Sequence, residues 1–272
     1  DSDREIVLPG QVRPVQDKWA LIVGISNFKD SAINLKYAAK DATDFRNYLV
    51  NEANFKADHV KLLLDENATR EKIVANLGDG WLRRLANPDD LVLIFVSTHG
   101  SPARKDIGGA NFIVPYEGGL ENMVLSGIPM QWLTTGIQET VHCNRIVLFL
   151  DICHAGAAAG SHKGLFRAVN EQSLAAGQLV IASSQADQIS WESAQYPNGV
   201  FTRRLIEGFR VNQGRTVLGK AFEYLRSKVE EEVLRDRAKL QTPVLYSRQW
   251  RGGNLSLSTI PEAPRSVLPD SA

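Results

Sequence analysis

The sequence is poor in the features that mark several classes of protein. Its 272 residues include only 2 cysteines, which excludes a disulfide framework as the main staple and favours a reducing, cytoplasmic compartment. Lys and Arg together number 31, as do Asp and Glu, so the formal net charge is 0. Binding to nucleic acid or to an anionic membrane surface needs a net positive field. The composition therefore predicts neither a nucleic-acid nor a membrane partner.

Long apolar runs are also missing. No run reaches the roughly 18 residues that span a bilayer, and the opening Asp1–Arg4 lacks the basic and then apolar layout of a secretory signal. Because the chain starts without Met, a leader removed before Asp1 stays open. Hydrophobic residues make up 43% and charged residues 23% of the chain, which is typical of a globular protein with a full core.

The sequence does contain a regular alternation of short apolar runs and helical patterns. The run Trp19–Ile25 precedes apolar residues at helical spacing from Leu35 to Leu49. Further apolar runs lie at 59–64, 91–96, 146–150, 179–182 and 243–246, a short hairpin at 112–115, and helical patterns at 69–82, 128–137, 201–209 and 218–235. Strands that are apolar on both faces belong to a mainly parallel sheet between helices. We predict an α/β fold of three layers with about six strands.

The two ends of the chain lack this periodicity and hold five of its prolines. We predict an N-terminal arm at residues 1–17, one domain at residues 18–258 and a C-terminal tail at residues 259–272. Both ends are expected to be loosely held, as termini often are.

Polar residues follow two of the predicted strands where function collects in parallel sheets, at the carboxyl ends. One strand runs into Ser97–Gly100 and another into Asp151–Gly156. A Cys and a His at neighbouring strand ends are the minimum for a thiolate nucleophile with an acid–base partner, and here these are Cys153 and His99. The backbone N–H groups of Gly100 and Cys153 are candidates to hold an oxyanion.

Two other interpretations apply to these residues. Cys153 is alternatively a small core residue, as most unpaired cysteines are. A zinc site is the chemical rival, built from four residues: His142, Cys143, Cys153 and His154. Adjacent residues of a strand point to opposite faces, and neither CxxC nor HxxxH spacing is present. We therefore predict no metal site and interpret His142 and Cys143 as structural. His59, at a strand start, and His162, in a loop, are assigned no role.

The two strand ends resemble those of the caspase-like cysteine peptidases, the family (C14) of caspases, paracaspases and metacaspases. His99 lies 54 residues before Cys153. Supporting matches are Asn27–Phe28, Leu35–Ala42, Phe112–Pro115 and Gly199–Thr202. The resemblance covers about residues 18–250. It implies a cysteine endopeptidase in which Cys153 attacks the peptide carbonyl and His99 protonates the leaving amine.

Two departures from true caspases indicate the substrate class. Caspases carry Gln two residues before the nucleophile and Arg after a Ser-Trp pair, whereas this chain has Asp151 and Glu192 at those places. Two carboxylates in one pocket select Arg, with Lys second. The resemblance to metacaspases, which cut after basic residues, adds Asp41 and Ser97 to the pocket. Asp41 is alternatively an exposed helix residue, and Asp187 is expected to be a loop acid.

The resemblance also raises the question of activation. The stretch 156–172 reads as a loop and holds Lys163 and Arg167, which suit an Arg/Lys pocket. Self-cleavage there is one expectation, and an uncut mobile flap is the other. Metacaspases that need calcium carry an aspartate where this chain has Ala157–Gly160, so no obligatory calcium and no other cofactor is predicted. An activating partner protein stays open.

Two further classes of function remain as alternatives. A catalytically silent caspase-like module would bind a partner through the same cleft. A flavodoxin-like phosphate or nucleotide binder would share the fold class, but neither GxxxxGK[ST] nor GxGxxG occurs in the sequence.

Overall fold

One sheet runs through the described part of the chain, and helices cover both of its faces. The structure is a computed structural model that describes residues 12–101, 111–119, 122–154, 169–185 and 188–267, with the side chains of residues 153 and 154 left out. The strands are β1 (Lys18–Gly24), β2 (Val60–Leu64), β3 (Leu91–Gly100), β4 (Phe112–Ile113), β5 (Ile128–Pro129), β6 (Ile146–His154), β7 (Gln178–Ala182) and β8 (Val244–Arg248). The helices are α1 (Ala38–Asn51), α2 (Arg70–Leu77), α3 (Leu82–Leu85), α4 (Met123–Ser126), α5 (Ile137–Thr140), α6 (Val200–Arg210) and α7 (Leu218–Arg237).

The main path of the sheet has the strand order β2-β1-β3-β6-β7-β8. Its first five strands are parallel, and β8 closes it antiparallel to β7. Beyond this path, β4 pairs with the end of β3, and β5 pairs with β4. The prediction of a mainly parallel α/β sheet with about six strands is confirmed.

Residues that alternate along each strand feed two separate cores. In β1, Trp19, Leu21 and Val23 pack with α2 and α3 on one face of the sheet. Ala20 and Ile22 pack with α1, α6 and α7 on the other face. Because both faces are covered, these strands have no exposed face to carry polar residues. This burial explains the continuous apolar runs in the sequence.

Helix α1 lies unusually close to the end of β1. A Cβ atom at Gly24 would stand 2.4 Å from the Cβ of Ala42 and 2.7 Å from the carbonyl oxygen of Ala38. Only glycine allows this approach. The close packing sets the first turn of α1, which carries Asp41, against the carboxyl end of the sheet.

The helix predicted at 128–137 is wrong for most of its length. Residues Ile128–Pro129 form β5, Met130–Trp132 form a 3-10 turn, and helix α5 begins only at Ile137. Proline at 129 has no N–H for a helix, and Ile128 instead pairs with Ile113 in an antiparallel ladder. The apolar spacing that indicated a helix comes from residues that cover the α2–α3 side of the sheet.

The longest described helix is α7, with 20 residues. It is strongly charged, with basic residues in its last turn. Within the described ranges, no helix combines the length and the apolar character needed to cross a bilayer.

The described parts of the two ends are held to the sheet, contrary to the expectation of loosely held arms. Glu262 and Ala263 donate backbone hydrogen bonds to the carbonyls of Val15 and Gln16, so the two ends run side by side. The domain boundaries at 17/18 and 258/259 stay predictions.

A buried polar cluster fixes this contact. Asp17, 1% exposed, accepts hydrogen bonds from the backbone N–H of Arg265 at 2.8 Å and of Lys18 at 2.8 Å. The ring of His59 lies 3.1 Å from Asp17 and stacks on Trp19 at 4.0 Å between centroids. His59, for which the sequence indicated only a strand start, therefore belongs to the buried polar cluster where the two ends of the chain meet.

Candidate active site

The register of β3 and β6 brings the two polar strand ends together. Ser97 lies opposite Asp151, His99 opposite Cys153, and Gly100 opposite His154. Both strands continue past their apolar runs, so these positions are still within the parallel ladder. The backbones of residues 99 and 153 thus lie side by side, as a Cys–His pair would need. The side chain of Cys153 is outside the described part of the structure.

His99 is buried, at 6% exposed, and its ring is oriented by its neighbours. Its Nε2 lies 2.7 Å from the carbonyl oxygen of Ile33, and its ring packs against Phe28 at 5.3 Å between centroids. A carbonyl oxygen only accepts, so Nε2 donates and Nδ1 is the nitrogen that can take up a proton. The histidine therefore has a fixed tautomer, as an acid–base group requires.

The segment that orients His99 is a short turn after β1. Residues Ser31–Ile33 form a 3-10 turn, and Asp30 caps it by accepting from the N–H of Ala32. Asn34 Oδ1 accepts from the N–H of Phe28 at 2.8 Å. These local bonds hold the carbonyl of Ile33 in place.

The end of β3 is fixed by β4. Val114 donates its N–H to the carbonyl of His99, and Ser101 donates its N–H to the carbonyl of Phe112. Gly100 lies between these two bonds. Its assignment, with Cys153, as an oxyanion donor stays a prediction.

Asp151 lies at the floor of a small cavity beside these strand ends. It is 4% exposed. Ser190 Oγ donates to one carboxylate oxygen at 2.7 Å, and Thr202 Oγ1 donates to the other at 2.9 Å. Burial raises the pKa of Asp151 above its ordinary value, and the two hydroxyl donors oppose that rise.

Asp41 is the second carboxylate of this cavity. It is 2% exposed, so the alternative of an exposed helix residue is wrong. Its oxygens accept from Asn198 Nδ2 and from the N–H of Gly199, both at 2.9 Å. Burial, followed by the charge of Asp151, raises the pKa of Asp41 well above its ordinary value. Close packing of α1 on β1 is what carries this residue into the interior.

Gly199 separates the two carboxylates. A Cβ atom at this position would stand 2.7 Å from Oδ2 of Asp41 and 3.2 Å from Oδ2 of Asp151. A larger residue would therefore occupy the space between the acids. Glycine at 199 keeps that space free of side-chain atoms.

Glu192 lies on the rim of the cavity rather than on its floor. It is half-buried, and its Oε1 accepts from the backbone N–H of Lys36 at 2.9 Å. Residues 190–199 form a short hairpin, in which Glu192 bridges to Gly199 and Ser193 donates its N–H to the carbonyl of Asn198. We refer to it as the 190–199 hairpin.

The structure brings all four predicted pocket residues to one cavity. It is lined by Leu35, Tyr37, Ala38, Asp41, Ser97, Asp151, Ser190, Trp191, Glu192 and Gly199. Its free volume is about 10 Å³, roughly the space of a single water molecule. The cavity therefore brings two buried carboxyl groups, Asp41 and Asp151, together.

Several residues of the site were not predicted. Ser190, Asn198 and Thr202 hold the two carboxylates, and the carbonyl of Ile33 holds His99. Thr202 lies in the stretch Gly199–Thr202 that matched the family. The carbonyl of Ile33 carried no signal, since every residue has one.

Two of the four rival zinc ligands, His142 and Cys143, lie apart from this site. Cys143 precedes β6, at the opposite end of that strand from Cys153. It is buried and its Sγ donates to the carbonyl of Asp90 at 3.2 Å, while burial raises the pKa of its thiol to about 12. His142 is exposed. These placements agree with a structural role for Cys143.

Some predicted residues fall outside the described part of the chain. Those residues are the self-cleavage candidates Lys163 and Arg167, the Ala157–Gly160 stretch, His162 and Asp187. In the described ranges, no group of three or more His, Cys, Asp or Glu residues could hold a metal ion.

Comparison with solved structures supports the fold. The crystal structure of protein GSU0716 from Geobacter sulfurreducens matches with a TM-score of 0.63 over 85% of this chain and 93% of that chain. The sequence identity is 17%, so this match concerns the fold alone.

Sequence comparison identifies the family. The model of the caspase domain of peptidase family C14 matches residues 17–252. Metacaspase-1 of Yarrowia lipolytica (strain CLIB 122 / E 150) is 28% identical over 171 residues, which are 56% of this chain. The match spans 35% of the length of that metacaspase. The chain therefore belongs to the caspase-domain family of peptidases.

Proposed function

We propose that this chain is an endopeptidase that cleaves after Arg, with Lys second, by means of Cys153 and His99. The observation that carries the proposal is the pair of buried carboxylates, Asp41 and Asp151, next to the register position where residues 99 and 153 meet. A substrate cation is the partner that such a pair lacks, because leaving buried charges unpaired is costly.

The chemistry follows the order of groups along the strand ends. The thiolate of Cys153 attacks the carbonyl carbon of the scissile bond, and the N–H groups of Gly100 and Cys153 stabilise the oxyanion that forms. His99 gives a proton from Nδ1 to the leaving amine as the C–N bond breaks. A thioester remains on Cys153. Water then attacks it, giving a proton back to His99, and releases the acid and the thiolate.

The preference for Arg over Lys rests on the geometry of the acceptors. A guanidinium is planar and offers five donors in a fixed fork, whereas an ammonium is a compact point charge. Asp41 and Asp151 lie on two different elements, α1 and β6, with Gly199 between them. A group that presents donors on two sides matches that arrangement. Ser97, 4% exposed, completes the wall beneath.

Self-processing, calcium independence and the setting of the enzyme complete the proposal. Within the chain itself, this preference would cut the peptide bonds that follow Lys163 and Arg167. No calcium is required, nucleic acid and membranes are not partners, and an activating partner protein stays an open alternative. The low cysteine content supports a cytoplasmic site of action.

One experiment tests the proposal as a whole. A positional-scanning peptide library is hydrolysed by the enzyme with calcium and with a chelator, and the intact mass of the same enzyme sample is followed. We expect turnover after Arg, weaker turnover after Lys, and equal rates with and without calcium. The enzyme itself should yield fragments whose masses correspond to cleavage after residue 163 or 167. A protein that binds these peptides without cleaving any of them would be the silent module instead.

A further inference from the structure

One loop carries two groups that contact the ring of His99. It forms most of the connection from β1 to α1, and we call it loop 25–35. The carbonyl of Ile33 accepts from Nε2 of His99 at 2.7 Å, and the ring of Phe28 lies 5.3 Å from the imidazole, between centroids. The position of this loop therefore determines how the histidine is held.

Loop 25–35 closes on its own first residues. Leu35 donates its N–H to the carbonyl of Ser26 at 2.8 Å. Asn34 Oδ1 accepts from the N–H of Phe28, also at 2.8 Å. Ile33 lies directly before these two closing residues, so the place of its carbonyl follows from the place of residues 26–28.

Residues 26 and 27 are held from outside the loop by Asp65. This half-buried residue directly follows β2, which lies at one edge of the main path of the sheet. Its Oδ1 accepts from the backbone N–H of Ser26 at 2.8 Å and of Asn27 at 3.0 Å. Its Oδ2 accepts from the side-chain amide of Asn27 at 3.0 Å. Hydrogen bonds to a single carboxylate thus fix the start of loop 25–35.

The backbone of Asp65 is in the left-handed region, with a φ of 45°. Glycine adopts this conformation at the least cost, and among residues with a side chain Asp and Asn are some of those found there most often. Backbone strain of this kind gathers at functional sites. The carboxylate is the part of Asp65 that glycine could not supply at this position.

We propose that Asp65 is a positioning residue of the peptidase, which acts through loop 25–35 to keep the proton of the neutral His99 ring on Nε2. The inference rests on the proposed role of His99 in proton transfer. Asp65 itself contacts neither the substrate nor the histidine in this role. It holds the loop whose carbonyl selects the tautomer.

The burial of Ser26 explains why the carboxylate matters to the loop. Ser26 is 7% exposed, so little water reaches its N–H. Loss of the carboxylate would leave this donor unsatisfied, and the loop would rearrange to give it another acceptor. The carbonyl of Ile33 moves with the loop. The ring of His99 then loses the acceptor that selects its tautomer.

The tautomer of His99 reports directly on this positioning. Nitrogen NMR resonances of a neutral imidazole distinguish the protonated ring nitrogen from the unprotonated one, and the His99 signals are assigned by their loss in His99→Gln. Spectra are recorded on the full chain carrying Cys153→Ala, in which no self-cleavage by this thiol occurs. We expect a single tautomer with the proton on Nε2. Adding Asp65→Gly should convert it to a mixture of the two tautomers.

Two variants separate the carboxylate of Asp65 from its backbone. Asp65→Gly removes the acceptor but suits the left-handed backbone, so the turn keeps its conformation. Asp65→Asn keeps an oxygen for the backbone N–H groups of Ser26 and Asn27, and its amide can donate to the side chain of Asn27 once that amide flips. In the chain with Cys153 intact, Asp65→Gly should lower kcat for an Arg peptide by about tenfold or more, and Asp65→Asn should restore most of it. Glu66→Ala, at an exposed position of the same turn, is the matched control and should change neither the tautomer nor the rate.

The outcomes separate the positioning role from the proposed function. Thermal unfolding first establishes a temperature at which all the variants are folded, and the comparison is made there. If folded Asp65→Gly keeps the single tautomer with the proton on Nε2, the positioning role is wrong, whatever the rate. A mixture of tautomers before any change at Asp65 also contradicts it. If the native chain cleaves no Arg peptide, the proposed function fails, and the spectra still decide whether Asp65 holds the ring.

Discussion

The Nε2 atom of His99 and the carbonyl oxygen of Ile33 are joined by a hydrogen bond of 2.7 Å. This bond makes the main chain of the turn after β1 the group that sets the tautomer of the histidine. An acidic side chain is the usual orienting partner in Ser-His-Asp sites. A carbonyl fixes the ring equally well but adds no full charge. In the proposed mechanism, proton transfer therefore uses Nδ1.

Substitution of the two cysteines should have opposite consequences. Cys153→Ala is expected to abolish hydrolysis of an Arg peptide and leave the fold intact, because no other group there can form the thioester. Cys143→Ala, at the other end of β6, should keep full activity and lose about 1 kcal/mol of stability from the small cavity. Peptide hydrolysis and thermal unfolding measure the two effects. Turnover by Cys153→Ala would end the assignment of the nucleophile.

Removal of the charge of Asp151 should change selection without unfolding the protein. Asp151→Asn can accept from Ser190 and donate to Thr202, because a hydroxyl serves either way. The loss in kcat/KM against Arg peptides should be on the order of 2–4 kcal/mol, or about 30- to 1,000-fold. The rate of alkylation of Cys153 by iodoacetamide, which needs no pocket, should be unchanged. An unaltered Arg-to-Ala preference would place the specificity pocket elsewhere.

The raised pKa values of Asp41 and Asp151 predict that acid affects activity and stability in opposite directions. Guanidinium binding needs the ionised carboxylates, so kcat/KM for Arg peptides should fall on acidification already above the ordinary carboxyl value of 3.8. In that interval the folded enzyme binds more protons than the unfolded chain, so the stability of the empty enzyme should rise as pH falls. Urea unfolding against pH, compared between the native chain and Asp151→Asn, isolates the contribution. An identical pH dependence of the two proteins would contradict it.

The space at Gly199 should be essential for cation binding. Gly199→Ala places a methyl group 2.7 Å from Asp41 Oδ2, so we expect a rise in KM for Arg peptides of about tenfold or more. Gly219→Ala is the matched control, since a Cβ there meets nothing within 4 Å. That change lies in helix α7 and should stabilise the protein by roughly 0.5–1 kcal/mol without altering KM. Equal KM values for both variants would show that the space is not used.

Much of the fold could be predicted because burial on both faces leaves a plain pattern. The run at Trp19–Ile25 and the helical spacing after Leu35 correspond closely to β1 and α1. The helix predicted at 128–137 was wrong because spacing alone does not distinguish a helix from turns that cover the sheet. Beside Pro129, apolar residues at helical spacing do not form a helix, so this spacing alone is weak evidence for one.

The candidate site was predicted where side chains carry the chemistry and missed where geometry does. His99 and Cys153 each follow the apolar run of a predicted parallel strand, so both could be expected at the carboxyl edge of the sheet. The register of β3 and β6 in the structure sets them opposite each other. The backbone groups of Ile33 and Lys36 have no identity in the sequence. Their roles depend on where the turn after β1 lies in three dimensions.

The shared register of β3 and β6 has a consequence for redesign. In the proposed mechanism, each strand supplies one residue to the reaction chemistry, His99 or Cys153. The residue two positions earlier, Ser97 or Asp151, belongs to the recognition cavity. A shift in the register of the two strands would disrupt the reacting pair and the recognition cavity together. Such a backbone shift therefore cannot change the cleavage preference alone. An engineer seeking one would keep this central pair of strands and rebuild the peripheral segments that face it, α1 and the 190–199 hairpin.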